Sequence, residues 1–305
     1  MDGENVVLLS DYRDRLHRSP RAERKFPPRQ AEISPPSRSE LRARLVSRLA
    51  RISMVPILRE VQTLTSPEAI EEDRLWTDPP LDANRLPVLL IGGLASTPHQ
   101  LQLLQSWLSR LNCRAQICPI AYGVDCGERT TAMVTRSLTA LAAETGRRSV
   151  LIAHSRGGQF ARAAAVRHPD LVEALVTLGS PINRMLGVHP ILRAEVAMLA
   201  LAGSLGLPGL LRPACLWGEC CRRLRADLTA PFPREVSYLS VYSRQDQMVD
   251  WRSSLDAAAS HREIDATHSS LICSAAAFEV LADELSRVVS RYELANSVQA
   301  PPCGM

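Results

Sequence analysis

The most informative segment of the sequence is S-V-L-I-A-H-S-R-G-G-Q-F-A-R, residues 149–162. It begins with a short apolar run that is typical of a buried strand, and residues 157–167 have the composition of a helix. Ser155 lies at the junction, with Ala153 two residues before it and Gly157 two residues after it. A sharp strand-to-helix turn needs small residues at those two positions. The stretch therefore predicts a nucleophile elbow with Ser155 at its centre.

Strands and helices alternate on both sides of this stretch. The predicted strands are 88–91, 115–120, 149–153, 174–178, 236–242 and 261–266, and the predicted helices among them are 98–111, 128–145 and 157–167. This alternation indicates an α/β protein with a mostly parallel sheet that carries helices on both faces. It breaks between residues 182 and 233, where Leu, Ala, Gly and Pro dominate. An excursion of this length predicts a small helical cap.

A serine hydroxyl is a weak nucleophile at neutral pH, so Ser155 needs a histidine to accept its proton and a carboxylate to orient that histidine. The strand at 236–242 leads into Asp246 and Asp250, and the last predicted strand leads into His268. Of the seven histidines, only His268 follows the last strand. Position favours Asp246 as the acid, because Asp250 lies a further helical turn along, where it could cap a helix. Asp250 remains the alternative.

Further motifs follow one another in a recognisable order. They are P-V-L-L-I-G-G-L-A-S (87–96), G-E-R-T (127–130), A-H-S-R-G-G (153–158), T-L-G-S-P (177–181), Y-S-R-Q-D-Q-M-V-D-W (242–251) and T-H-S-S-L (267–271). With these motifs, residues 86–290 resemble the α/β-hydrolase superfamily and, more narrowly, its bacterial lipases and esterases.

The resemblance implies a carboxylic-ester hydrolase that acts through an acyl-enzyme on Ser155, with Asp246 as the acid, His268 as the base and no cofactor. The apolar stretch 196–211 in the predicted cap either lines an acyl pocket or forms a lid, which would suit esters with an apolar acyl part, or packs within the cap, which is at least as common a role. An acyltransferase, a thioesterase or an amidase would use the same three residues. A non-catalytic binding protein on this scaffold would be expected to lack one of them.

The oxyanion hole is expected at two backbone N–H groups. One belongs to Arg156, the residue after the nucleophile, and the resemblance assigns the other to Leu94, after the turn at Gly92 and Gly93. The sequence departs from the superfamily at Ala153, where glycine is usual, and at Arg156, where relatives often carry Leu or Met. Because of these departures, the sequence does not determine the geometry of the turn or of the part of the site that receives the leaving group.

The two ends of the chain differ from the hydrolase domain predicted over residues 66–295. Residues 1–38 are rich in Arg, Pro and Ser without an apolar period, so a disordered basic tail is predicted, and a second tail is predicted at 296–305. Residues 39–65 contain an amphipathic helix, over 39–64, with leucines at helical spacing and interleaved arginines. This helix either packs on the domain, which is the more common role, or attaches to an anionic membrane surface.

Composition excludes several classes of protein. The chain has 305 residues, of which 46% are hydrophobic, and it holds 36 basic and 32 acidic residues for a net charge of +4. It contains no apolar run long enough to span a bilayer and no basic start of a secretory signal, so a cytoplasmic location is expected, with peripheral membrane contact through 39–64 as the alternative. The near balance of charge gives little support for a nucleic-acid partner. A small-molecule or lipid ester is the expected partner.

Eight cysteines could be thiols, disulfides or metal ligands. Reduced thiols are the default in a chain of this length without a signal peptide. Cys215, Cys220 and Cys221 form the one dense group, C-L-W-G-E-C-C. This group lacks the paired C-x-x-C spacing and the nearby histidine of most structural zinc sites, so buried thiols or a local disulfide are predicted ahead of a metal.

Overall fold

The computed structural model of the protein describes residues 72–120 and 122–299. The predicted basic tail (1–38) and the amphipathic helix (39–64) lie outside the described residues. The last helix reaches Gln299, four residues into the range that the sequence assigns to a C-terminal tail, and residues 300–305 lie outside the description.

Within the described ranges, six strands form one parallel sheet in the order β2-β1-β3-β4-β5-β6. Their bounds are β1 Pro87–Ile91, β2 Arg114–Ile117, β3 Ser149–His154, β4 Val172–Leu178, β5 Ser237–Tyr242 and β6 Ser260–Glu263. Every residue of β1, β3 and β4 is buried, as expected for parallel strands that are covered on both faces. The predicted mostly parallel sheet is confirmed. The edge strands β2 and β6 end about three residues earlier than predicted, and each pairs with one other strand among the described residues.

Eight helices occur among the residues that the structure describes. Their bounds are α1 Arg74–Thr77, α2 Pro98–Arg110, α3 Gly127–Thr145, α4 Gly157–Arg167, α5 Pro190–Ser204, α6 Pro213–Leu216, α7 Arg222–Asp227 and α8 Ala275–Gln299. Helices α2 and α8 meet through Trp107 and Phe278, whose rings stack with centroids 4.5 Å apart. In this part of the chain, no helix combines the length and the apolar character that crossing a membrane would require.

The segment between β4 and β5 is helical, as predicted, and its two halves differ in burial. The first half is α5, which exposes large apolar side chains such as Met198 and Leu201. The second half contains α6, a 3-10 turn at Glu219–Cys221 and α7, and its apolar side chains join the core between α3 and α4. We call residues 211–232, which contain this second half, the anchored half of the cap.

The carboxyl ends of the strands lie along one edge of the sheet, because all six strands are parallel. The loops that follow β1, β3, β4, β5 and β6 therefore gather at this edge. In α/β sheets the carboxyl edge is the usual place for a ligand site. Four of these loops carry the residues that the sequence analysis selected.

Candidate active site

Ser155 occupies a strained turn between β3 and α4. Its φ angle is 54°, in the left-handed region that residues with a side chain rarely adopt. Its backbone N–H donates to the carbonyl of Leu178 at the end of β4, at 2.9 Å, so the neighbouring strand holds the turn in place. A non-glycine residue keeps such a conformation only where its surroundings enforce it, and these positions are concentrated at functional sites.

The residues on either side of Ser155 leave room for this turn. A side chain at Gly157 would overlap the carbonyl oxygens of Ile91 and Gly92, because the loop after β1 packs directly on the turn. Ala153 is fully buried within β3. The sheet accommodates its methyl group without loss of the left-handed conformation at Ser155, so the departure from glycine leaves the turn intact.

Asp246 and His268 form a buried hydrogen-bonded pair beside this turn. His268 Nδ1 donates to Asp246 Oδ2 at 2.7 Å, and the carboxylate side chain is 1% exposed. The other oxygen, Oδ1, accepts from the backbone N–H groups of Met248 and Val249, both at 2.8 Å. With the proton of the neutral ring held at Nδ1, Nε2 is the basic nitrogen of His268.

Gly179, the first residue after β4, gives the pair its space. Its φ angle is +55°, and a side chain there would lie 3.0 Å from Asp246 Oδ2 and 3.2 Å from His268 Nδ1. It would also lie 2.6 Å from Leu271 Cδ1. Both the backbone conformation and the close approach therefore favour glycine. The T-L-G-S-P motif marks this position in the sequence.

Asp250, the alternative acid, has a different set of contacts. Its Oδ1 accepts from the N–H of Arg252 at 3.2 Å, at the start of the 3-10 turn Trp251–Ser254. Its carboxylate oxygens also lie 3.8 Å from Arg184 and 3.7 Å from Arg252. The structure thus brings Asp246 to His268 and places Asp250 as the cap of a turn.

His154 is a site residue that the sequence analysis passed over. It is buried at the end of β3, and its Nε2 donates to the backbone carbonyl of His268 at 3.0 Å, with the two rings 4.5 Å apart. Burial, reinforced by the positive charge that His268 can carry, lowers the pKa of His154 to about 3. The ring is therefore neutral and fixes the backbone of His268. A histidine in a strand that is predicted to be buried requires a hydrogen-bond partner. This requirement is the feature of the sequence that could have pointed to His154.

Arg156 directs its side chain away from Ser155. Its guanidinium donates to the carbonyl oxygens of Gly123 and, at 3.4 Å, Asp125. Burial lowers the pKa of Arg156 to about 10, so the group keeps its positive charge at neutral pH. The backbone of Arg156 forms the N-cap of α4, and Leu94, the other predicted oxyanion residue, lines the same cleft as Ser155 and Arg156.

The cleft beside Ser155 is mostly apolar. Its apolar lining consists of Leu94, Pro181, Met185, Leu186, Val188, Leu192, Val196, Leu216 and Leu224. Gln159 holds part of this wall in place, because its Nε2 donates to the carbonyls of Pro181 at 2.9 Å and Met185 at 3.0 Å. Such a cleft can take an apolar group next to the serine hydroxyl.

Cysteines form the second cluster of reactive groups near the cleft. Cys215 lines the cleft, and its sulfur meets those of Cys126, Cys220 and Cys221, all within 4.8 Å of one another. The sequence pattern C-L-W-G-E-C-C marks three of these residues but gives no sign of Cys126. Together, these four sulfurs could hold a metal ion.

Comparison with known proteins identifies the fold. The family model described as "alpha/beta hydrolase fold" matches residues 80–202, whereas no curated protein matches the sequence. Among solved structures, the mature form of the Bacillus licheniformis lipase BlEst2 is 18% identical, with 67% of this chain and 94% of that chain covered and a TM-score of 0.52. Its propeptide form is 19% identical, with 67% and 51% covered and a TM-score of 0.51. The resemblance found in the sequence is confirmed at the level of the fold.

Proposed function

We propose that this chain, which has the α/β-hydrolase fold, hydrolyses carboxylic esters through an acyl-enzyme on Ser155. One observation carries the proposal: the 2.7 Å hydrogen bond between His268 Nδ1 and Asp246 Oδ2, at the sheet edge where Ser155 is held in a left-handed turn. A histidine oriented by a buried carboxylate is the base that a serine nucleophile requires. The two solved structures described above are forms of one lipase, which is an enzyme of the class proposed here.

The reaction would proceed in two halves. His268 Nε2 takes the proton of Ser155 as its Oγ attacks the ester carbonyl carbon, and the tetrahedral intermediate collapses when His268 returns that proton to the departing alcohol. Water then attacks the acyl-enzyme, again giving a proton to His268, and the carboxylic acid leaves as Ser155 recovers its proton. Asp246 stays ionised throughout and stabilises the imidazolium.

The oxyanion of each tetrahedral intermediate would be bound by the backbone N–H groups of Leu94 and Arg156. Both residues line the cleft with Ser155, and the close packing at Gly157 brings the loop after β1 onto the turn. The hydrogen bonds from the Arg156 guanidinium to Gly123 and Asp125 fix this residue from the other side. Preorganised N–H donors of this kind are each worth about 10²–10³-fold in turnover.

The acyl group would be apolar, because the cleft offers it aliphatic and thioether side chains. Met185, Val188, Leu192 and Val196 supply much of this surface. Burying each methylene of an acyl chain there would contribute about 0.8 kcal/mol. A chain longer than acetate should therefore be preferred.

A fluorophosphonate probe tests the chemistry, and a series of p-nitrophenyl esters of increasing acyl length tests the substrate class. We expect the probe to label the full-length chain on Ser155, and neither Ser155→Ala nor His268→Ala to be labelled. Hydrolysis should rise from acetate to longer acyl groups. Labelling that survives in Ser155→Ala would contradict the nucleophile. A labelled protein that cleaves none of the esters would contradict ester hydrolysis.

A further inference from the structure

Four cysteine sulfurs from three elements meet at the boundary between the cap and α3. Cys126 is the N-cap of α3, Cys215 lies in α6, and Cys220 and Cys221 end the turn Glu219–Cys221. The sulfur of Cys220 lies 3.3 Å from that of Cys126, 3.5 Å from that of Cys215 and 4.0 Å from that of Cys221. The sulfurs of Cys126 and Cys221 are 3.6 Å apart.

We propose that Cys126, Cys215, Cys220 and Cys221 together bind one metal ion, for which Zn²⁺ is the ion of matching chemistry. Tetrahedral coordination with Zn–S bonds of about 2.3 Å places the sulfurs about 3.8 Å from one another. Four of the six sulfur–sulfur separations, 3.3 to 4.0 Å, lie around this value, and all six lie within 4.8 Å. A set of four sulfur ligands selects zinc or another thiophilic ion over magnesium or calcium.

Backbone N–H groups point at these sulfurs as they do in metal-thiolate sites. The N–H of Arg212 donates to Cys215 Sγ at 3.3 Å. Cys126 is the N-cap of α3, so its sulfur lies at the helix end where the backbone N–H groups of the first turn have no partner within the helix. Negative charge is favoured at the start of a helix of this length, so these donors suit a thiolate better than a neutral thiol.

The charges around the cluster fit a dianionic centre. One Zn²⁺ with four thiolates carries a net charge of −2, after the four thiol protons have passed to solvent and without any change of oxidation state. The partly buried guanidinium of Arg156 interacts electrostatically with Cys126, Cys215 and Cys221 and with the carboxylate of Asp125, while its hydrogen bonds go to neutral carbonyl oxygens. Asp125 is already paired with Arg129, so a dianionic metal centre would supply further counter-charge to these two cations.

The ion would be structural, since four cysteine ligands leave no coordination position open for substrate or water. Three ligands belong to the cap and one to α3, so the ion would join the anchored half of the cap to the sheet domain. Cys215 also lines the cleft beside Ser155, which means that the ion would fix one wall of the acyl site. The spacing in C-L-W-G-E-C-C gave no zinc signature because the missing ligand, Cys126, lies 94 residues before Cys220.

Metal analysis of the full-length chain tests the proposal directly. We expect the protein, purified under reducing conditions without chelator, to contain one zinc ion per chain. After removal of the zinc, the reduced protein should bind one equivalent of Co²⁺ and show the intense visible absorption of tetrahedral cobalt thiolate. This readout does not depend on ester hydrolysis.

Two substitutions provide a matched pair. Cys220 is exposed, so Cys220→Ser removes a ligand without disturbing the core, and it should weaken Co²⁺ binding by more than the roughly 10–100-fold that loss of an outer partner costs. Cys118 is a cysteine outside the cluster, whose sulfur lies 3.6 Å from Ser137 Oγ, and Cys118→Ser should keep one ion per chain. Equal Co²⁺ affinity in the two variants would overturn the proposal.

Folded, reduced wild-type protein that contains no zinc and takes up no Co²⁺ would also overturn it, with folding checked by circular dichroism. So would a disulfide between two of the four cysteines that persists in freshly purified protein, if the reduced protein again bound no metal. Peptide mapping without reductant identifies such a bond.

Discussion

The carboxyl edge of the sheet and the anchored half of the cap are held in place by different interactions. At the edge, backbone hydrogen bonds fix the loops: Ser155 N–H donates to Leu178, and Gly179 N–H donates to Val241, both at 2.9 Å. In the anchored half of the cap, side-chain contacts fix the chain, apart from the backbone hydrogen bond that Leu211 N–H donates to Val124 at 2.8 Å. Substitutions at the edge should therefore change the chemistry and leave the fold intact, whereas substitutions in the cap should change stability first.

An ion-pair network anchors the cap, beside the cysteines and Arg162, whose guanidinium donates to the carbonyls of Asp227 and, at 3.0 Å, Ala230. Arg167 of α4 pairs with Glu128 of α3 at 2.8 Å and with Asp227 of α7 at 2.6 Å, and its side chain is 8% exposed. Glu128 also accepts from the backbone N–H of Leu224, in α7, at 2.6 Å. One arginine thus links two helices of the sheet domain to the cap, and its loss would leave two carboxylates unpaired.

The largest effect is expected at the sheet edge. Ser155→Ala should lower turnover of p-nitrophenyl esters by about 10⁴-fold or more, because the hydroxyl carries the covalent step. The melting temperature should change little, since only one small polar group is removed. Steady-state kinetics and a thermal melt measure both. His261→Ala, on the exposed strand β6, is the control and should keep its activity. Near wild-type turnover in Ser155→Ala would refute the elbow assignment.

The second test compares the two acids. Asp246→Asn should reduce turnover by about 10⁴-fold, because an amide at Oδ2 no longer selects the tautomer with a proton on His268 Nδ1. Asp250→Asn should keep turnover close to wild type, since Asn also caps turns, and its stability should fall by no more than about 1 kcal/mol. Kinetics and urea unfolding of the two variants decide between them. If Asp250→Asn were the inactive variant, the roles of the two acids would be exchanged.

The third test concerns the anchor of the cap. Arg167→Met should lower the free energy of unfolding by about 3 kcal/mol, because the buried carboxylate of Asp227 and the partly buried carboxylate of Glu128 lose their shared partner. Arg222→Met is a matched control in the cap: its ion pair with Glu219 is 75% and 79% exposed, so a change below about 1 kcal/mol is expected. Urea unfolding measures both, and hydrogen exchange should show the loss in residues 211–232. Equal stability of the two variants would remove the distinction between edge and cap.

The smallest effect is a pH dependence at His154. The folded pKa of about 3 lies below the unfolded value of 6.5, so the unfolded chain binds the extra proton between these pH values. Stability should therefore fall as the pH drops below about 6.5, by up to about 1.4 kcal/mol per pH unit. His154→Gln keeps a donor but does not titrate, so its stability should vary less between pH 7 and pH 5. Identical pH slopes for both proteins in urea unfolding would contradict this account.

The sequence predicts what local patterns determine. Apolar runs mark the strands, and Ser155, Asp246 and His268 each follow a strand, so a parallel sheet brings them to one edge without knowledge of any tertiary contact. His154 was missed because its role depends on a contact with the backbone of His268, 114 residues away. Cys126 joins three distant cysteines in the same way, and nothing in its own surroundings marks it. Contacts between side chains of separate helices, strands or loops leave no periodic pattern in the sequence.

The order of the strands along the chain determines when each part of the site can form during synthesis. Ser155 follows the third strand, whereas Asp246 and His268 follow the fifth and sixth, so a nascent chain can form the turn at Ser155 long before its partners have left the ribosome. The last helix, α8, then buries Phe278 against Trp107 and brings the latest residues onto an early helix. Contacts between residues so far apart in the chain make folding slow. A chain released before His268 would hold a shaped serine turn that has no base.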